Sequence, residues 1–351
     1  MSRKNIFALF VMLGLSAGIF WWEARKINFE SMLSTFKSLN FFWLGVAFLS
    51  ILLSYAVEAW VLHTLLKKKE DRRFNWWEMY RIPLIQALFN AITPFSSGGQ
   101  PAQLVGLMQS KIDGGRASSV LLMKFVIYQG MVLINFVVAM IVSFENVAKH
   151  FSGLSLMILF GLVIHVVTIS FLLMIMYYYS FTKKMVQAVL KPILFFLKEE
   201  KREQILQSSL RGIDSFYKES LVLKQEKQKV IKAAILTFLQ LLLYYLVVYF
   251  VLLSLNVHHI NLLDVVVMQI MIVMITSIFP VPGGTGGAEV SFKALFSGFI
   301  PSASGLILAM FLWRFITYFF GMFLGVIGIL KKPKLKKIKH DAKAKLWSEN
   351  K

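Results

Sequence analysis

The feature that most constrains this chain is its repeated apolar run of bilayer length. A hydrocarbon core of ~30 Å takes about 20 residues of helix, and runs long enough occur at residues 6–22, 40–66, 117–143, 152–178, 230–255 and 303–330. Inside lipid the backbone must satisfy its own hydrogen bonds, so the pattern predicts an all-α polytopic membrane protein with six full transmembrane helices. Composition agrees, with 57% hydrophobic and only 16% charged residues against roughly one-quarter charged in soluble domains. Arg3 and Lys4 precede the first run, but no small-residue cleavage site follows before Trp21 and Trp22, so it is expected to be a retained anchor rather than a secretory signal. The chain has no cysteine, which excludes disulfides, thiolate catalysis and cysteine-ligated metals.

Two further apolar stretches, 79–110 and 262–300, are broken centrally by TPFSSGGQPAQ (93–103) and FPVPGGTGGAE (279–289). Each is too interrupted for one helix and too short for two spans with a loop. Proline- and glycine-broken backbone is tolerated at membrane depth only where protein or a watery cavity receives it. Each stretch is therefore predicted to be a re-entrant helical hairpin whose ends emerge on one side.

Charge tests that topology, because short cytoplasmic loops collect Lys and Arg. With both hairpins re-entrant, nearly all of the 38 basic residues fall inside, in the N-terminus, 67–81, 110–116, 179–232 and the tail from Lys331. Arg25, Lys26, Lys37 and Lys149 stay outside, and Lys124, Lys293 and Arg314 lie within the membrane. The net charge of +20 thus flanks membrane spans and does not mark a nucleic-acid surface. The implied organisation is an anchor and outer segment at 1–39, a first membrane half at 40–178, a basic cytoplasmic loop at 179–229, a second membrane half at 230–330 and a polybasic tail at 331–351. The polar segment 179–232, broken at Pro192, reads as amphipathic helices at the inner membrane face or as a solvated linker. The tail KKPKLKKIK suits an anionic inner leaflet.

The two halves resemble each other. Aligning Pro94 with Pro280 pairs Gly98 with Gly284, Ala102 with Ala288 and Gln103 with Glu289, and each hairpin is followed by a span carrying a cation, in KFVIY (124–128) and RFITY (314–318). Because the hairpins would enter from opposite sides, the units 40–143 and 230–330 form an inverted repeat. In transporters such repeats place substrate near the midplane, at broken helices.

Candidate binding residues follow from that frame. Gly283, Gly284, Gly286 and Gly287 put unhindered N–H groups at a helix start, an arrangement suited to phosphate, and Gly98, Gly99, Gln100 and Gln103 form a polar counterpart; close packing of the hairpin arms explains the glycines equally well. Lys124 and Arg314 lie roughly 10 to 20 Å into their spans, where a charge costs at least ~2.5 kcal/mol. Glu58, about 13 Å from Lys67, and Glu289 are the anions within reach. The four form either a substrate-binding constellation or two internal pairs, Glu58 with Lys124 and Glu289 with Arg314, that fix helix packing. Tyr128 and Tyr318 close the two matching motifs. Asn90, Gln129, Asn135, Gln240 and Gln269 either line a cavity or bond between helices. His258 and His259 lack acidic ligand spacing, and no metal site, cofactor, nucleophile–base pair or ATP-binding loop is expected.

The paired motifs TPFSSGGQPAQ and FPVPGGTGGAE, set in a basic eight-element membrane protein, resemble the transmembrane region of lysylphosphatidylglycerol synthases, whose full-length form is the multiple peptide resistance factor. The resemblance covers nearly the whole chain. It implies movement of aminoacylated phosphatidylglycerol between leaflets, a function separate from the soluble domain that transfers the amino acid from tRNA. With about twenty residues after the last span, that domain is not expected here, and the resemblance implies the membrane function. Gln100 and Gln103 stand where many members carry an acid and a base, so the headgroup stays unassigned.

The expectation is a multi-pass cell-membrane flippase for an anionic or aminoacylated phospholipid, with both termini cytoplasmic. Phospholipids, the anionic inner leaflet and further copies of the chain are the expected partners. The alternatives are a phosphatidylglycerol lysyltransferase or its membrane subunit, which would receive tRNA and contribute to resistance against cationic peptides, and a membrane scaffold without transport.

Overall fold

In the computed structural model, residues 29–67, 74–142, 155–195, 199–300 and 302–331 are described. They are helical throughout, and no strand occurs among them. A short amphipathic helix, α1 (Phe29–Lys37), precedes α2 (Phe41–Leu66). The first hairpin follows as α3 (Trp76–Ala91), a tight turn at Pro94–Ser96 and α4 (Gly99–Gln109). Next come α5 (Gly114–Val142), α6 (Ser155–Tyr177), α7 (Tyr179–Phe195), α8 (Glu199–Gln225) and α9 (Lys227–Ser254). The second hairpin consists of α10 (Leu262–Thr276), a turn at Pro282–Gly284 and α11 (Gly287–Phe296). The last span starts as α12 (Ala303–Arg314), passes through a π-helical turn at Phe315–Phe319 and ends as α13 (Phe320–Leu330).

Five helices among the described residues are long and apolar enough to cross a membrane: Phe41–Leu66, Gly114–Val142, Leu156–Tyr177, Lys227–Ser254 and Ala303–Leu330. The run at 6–22 and the tail beyond Lys331 lie outside the described residues.

Local chemistry fixes where the helices begin. Asn40 accepts from the Phe42 N–H at 3.1 Å and Asn261 from the Leu263 N–H at 3.0 Å. Asn75 caps α3 with Glu78 reaching back to its N–H at 2.8 Å. Such caps satisfy amide donors that a helix start leaves open. Asn75 and Asn261 open the leading arms of the two hairpins at the same interval that separates Pro94 from Pro280. The turns themselves correspond two residues later, Pro94 matching Pro282. From the start of the leading arm to the turn the second hairpin spends two more residues, so the simple pairing of Pro94 with Pro280 fits the starts of the leading arms and slips from the tips onward, Gly99 matching Gly287.

The most extensive helix contact joins α2 and α9, which run antiparallel. The Asn40 N–H donates to Ser254 O at one end, Ser54 donates to Gln240 O midway and Lys229 donates to Lys67 O at the other end. The end of α2 also meets the start of α5, where Arg116 bonds to Leu66 O, while α1 lies against α12 near the opposite end. Along α13, Gly325 and Gly328 bring the helix onto α3; a Cβ on Gly325 would stand 2.4 Å from Leu84 O. Small residues permit this close approach of membrane helices.

Two expectations change here. Arg81, assigned by charge counting to the 67–81 loop, sits inside α3 at 0% exposure, donating to Gly106 O at 2.8 Å and to Gln109. Its aliphatic stem and these acceptors let the hairpin begin earlier than hydropathy suggests. The polar segment does not break at Pro192, since α7 carries that proline and continues to Phe195; α8 packs on α5.

Candidate functional site

The two hairpin tips touch. Each is a turn containing two successive residues in the left-handed region, Phe95 and Ser96 at φ 51° and 52°, Gly283 and Gly284 at 63°. Glycine adopts that backbone freely, whereas Phe95 and Ser96 are held there against their preference. Such strain persists only where surrounding structure imposes it and often accompanies function. Beside the tips lies a cavity of about 590 Å³, lined from α2, α3, α4, α5, α6, α9, α10 and the last span.

On one wall Lys124, buried in α5, forms an ion pair with Glu58 of α2. The same ammonium donates to Gln86 Oε1 at 3.0 Å and to Gln103 Oε1 at 3.2 Å. Glu58 also accepts from Gln103 Nε2 at 3.3 Å and Gln240 Nε2 at 3.4 Å. Gln103 therefore bridges both members of the pair. A buried pair survives desolvation only when its remaining hydrogen-bonding positions are filled, and the three glutamines fill them.

The second wall repeats the chemistry with different parts. Arg314 Nε donates to Glu289 Oε1 at 2.7 Å, Nη1 to Gly283 O at 3.1 Å and Nη2 to Thr285 Oγ1 at 3.4 Å. Glu289 in turn accepts from the Gly286 N–H at 2.6 Å, closing the start of α11. The guanidinium lies 4.9 Å from the centre of the Tyr318 ring, in the π-helical turn. Pi-helical turns inside α-helices are frequent at functional sites.

Of the candidates named from sequence, Glu58, Gln100, Gln103, Lys124, Tyr128, Gly283, Gly284, Arg314 and Tyr318 line the one cavity, joined by Asn90, Gln129 and Gln240. Glu289 stands behind Arg314 and is absent from the lining. Gly98, Gly99 and Gly287 face neighbouring protein, whereas the position of Gly286, at φ 92°, has open space around it. A Cβ on Gly98 would meet Thr93 at 2.6 Å, and one on Gly99 would meet Asn90 at 2.1 Å. The amide donors of Gly284, Thr285 and Gly286 are taken by Val281 O, Pro282 O and Glu289, which favours packing over a phosphate cradle for this glycine string. Asn135 and Gln269 are buried away from the cavity lining.

Sequence reasoning missed Gln86, Thr285, Tyr55 and His165. Gln86 carried a usable signal, since Gln86 and Asn90 lie four residues apart on one apolar arm and so share a face. Thr285 lay within the GGTGGAE motif, between its glycines, while Tyr55 and His165 depend on helix rotation and left none.

The fold and its charged, glutamine-rich interior define a multi-pass helical membrane protein with a polar chamber between two broken hairpins. The chain belongs to the family described as the lysylphosphatidylglycerol synthase TM region, which matches residues 7–325. It is also similar to a UPF0104 membrane protein from Archaeoglobus fulgidus, at 24% identity over 334 residues covering 92% of this chain and 94% of the relative.

Proposed function

We propose that the protein moves a phospholipid between the leaflets of the cell membrane, taking its headgroup into the chamber between the hairpin tips. The observation that carries this reading is the convergence of both tips, the Glu58–Lys124 pair and Arg314 on one cavity. Headgroup transfer needs a polar chamber inside a membrane protein, and intramembrane charges mark substrate pathways by default. The family description, which refers to a phospholipid, supports a lipid substrate.

The architecture suits alternating access. The hairpin arms, of 16 and 11 residues in the first and 15 and 10 in the second, fall short of the ~20 residues a span needs. We read both as re-entrant. The bond from Arg116 to Leu66 O supports a first hairpin that returns to the side it left. Antiparallel α2 and α9 support two units of opposite orientation, and such inverted repeats rock against one another around a central site. The cytoplasmic assignment of both termini rests on the distribution of Lys and Arg.

Reconstitution into vesicles with short-chain labelled lipids tests the reading. Exchange of phosphatidylglycerol between leaflets above the empty-vesicle rate is expected. Equal rates with and without protein, for anionic and aminoacylated lipids alike, would overturn it.

A further inference from the structure

We infer that His165, on α6, is a recognition residue of the chamber that donates to a phosphoryl oxygen of the entering headgroup. This rests on the proposal that the chamber takes a lipid headgroup. His165 lines the cavity and is 4% exposed, yet neither ring nitrogen has a hydrogen-bond partner among the described residues. An imidazole always carries at least one N–H donor, and a buried polar group left without a partner bears its full desolvation cost. Ordinary core histidines avoid this by bonding to backbone or side chains. Here no described protein group bonds to either nitrogen, so an occupant of the adjoining polar space is the group that can satisfy the ring.

The charge arrangement selects the kind of occupant. Glu58 already accepts from Lys124, Gln103 and Gln240, and Glu289 from Arg314 and the Gly286 N–H. Glu58 thus keeps at most one of its roughly four acceptor positions, and Glu289 stands behind Arg314 outside the cavity lining, so neither offers a headgroup ammonium a full site. Donors remain: Arg314 uses three of its five N–H groups in the bonds described above, and His165 uses none. A chamber with spare donors and committed carboxylates takes an anion, and a phosphoryl group meets that demand with several acceptor oxygens. Thr168, one turn along α6, lines the cavity beside His165 and extends the polar strip towards headgroup hydroxyls. The lipid phosphate and free phosphate share this chemistry, and the lipid is the occupant proposed.

Binding of dioctanoylphosphatidylglycerol, dioctanoylglycerol and inorganic phosphate to the full chain in nanodiscs tests the assignment. The His165→Leu protein is expected to bind dioctanoylphosphatidylglycerol roughly ten-fold more weakly, the loss of one bond to a charged group. His165→Gln, which keeps a donor, should fall between the two, and dioctanoylglycerol binding should not change. In wild-type protein labelled with ¹⁵N-histidine, the imidazole signal that vanishes in His165→Gln should move on adding the phospholipid. A stationary imidazole signal, or an unchanged affinity in folded His165→Leu, would overturn the proposal, as would wild-type protein that does not bind the phospholipid. A response to inorganic phosphate as large as that to phosphatidylglycerol would overturn the lipid assignment. Binding through His165 without leaflet exchange would sink only the transport reading, and exchange that survives His165→Leu with unchanged binding would sink only the role of His165.

Discussion

The Tyr318 hydroxyl donates to the main-chain carbonyl of Ala91 across 2.9 Å, tying the last span to the end of the first hairpin's leading arm. The same ring occupies the place where Gly283 would carry a side chain, with a Cβ there lying 2.0 Å from Tyr318 Cε2. One tyrosine therefore holds both tips in register. Gly283→Ala meets the ring and also keeps a φ of 63° that alanine resists. It is expected to cost about 2 kcal/mol or more, read as a lowered unfolding temperature in detergent. Tyr318→Phe, which keeps the ring and loses the hydroxyl, should cost about 1 kcal/mol. Equal, small effects of both variants would contradict the contact.

Glu58 and Lys124 invite a double-mutant cycle. Glu58→Gln alone leaves a buried ammonium without its counter-charge and should destabilise by about 3–5 kcal/mol. Adding Lys124→Met removes the uncompensated charge and should recover most of that loss. If the pair also serves lipid passage, the double variant regains its unfolding temperature while leaflet exchange stays low. Recovery of both would make the pair purely a packing device.

Arg314 is not replaceable by lysine. Its fork reaches Glu289, Gly283 O and Thr285 in three directions while its charge lies over the Tyr318 ring, and a lysine offers one flexible point charge. Arg314→Lys should retain the ion pair with Glu289 but loosen the Pro282–Gly284 turn. Protease accessibility of that turn, compared with wild type, is the measurement; an unchanged cleavage rate would contradict the prediction.

Much of this was legible because length and breaks are one-dimensional signals. The spans at 40–66 and 230–255 needed only their apolar runs, and both hairpins declared themselves through proline and glycine in otherwise apolar stretches. The pairing of Glu58 with Lys124 and of Glu289 with Arg314 could be written down as an option because so few charges lie within the membrane. What stayed hidden depends on rotation about a helix axis. Nothing in the run around His165 tells which way its ring points, and the placement of Gln86 against Lys124 requires knowing how α3 docks on α5. Arg81 misled because its charge matched a cytoplasmic loop, while its acceptors, Gly106 O and Gln109, come from the returning arm of the hairpin.

The glycines of α13 make a separate test of the scaffold. A Cβ on Gly325 would press on Leu84 O at 2.4 Å and on Leu88 at 2.5 Å, contacts formed by backbone and a buried core residue. Gly325→Leu should part α13 from α3 and cost about 3 kcal/mol as overpacking. By contrast Gly130, with open space around its position, should accept alanine with no loss. Thermal unfolding of the two variants side by side checks the contrast, and similar behaviour would show that α3 and α13 do not pack as described.

Outside the spans, Asp113 gives the fold a pH-dependent cap. Its carboxylate accepts from the Arg116 N–H at 3.1 Å and from Ser215 Oγ at 3.0 Å, joining the start of α5 to α8. The backbone bond from Arg116 is the main cause that holds its pKa below the usual carboxylate value, with Ser215 and the Gly115 and Gly114 amides assisting against the opposing effect of partial burial. A depressed carboxylate binds fewer protons folded than unfolded, so its contribution is complete above the unfolded pKa and fades as pH falls through the folded one. Asp113→Ala should cost about 1 kcal/mol at neutral pH, the worth of a helix cap. The gap in unfolding temperature between wild type and variant should stay constant above about pH 5 and narrow below about pH 4. A gap that widens on acidification would mean the side chain is not acting as an ionised acceptor at the head of α5.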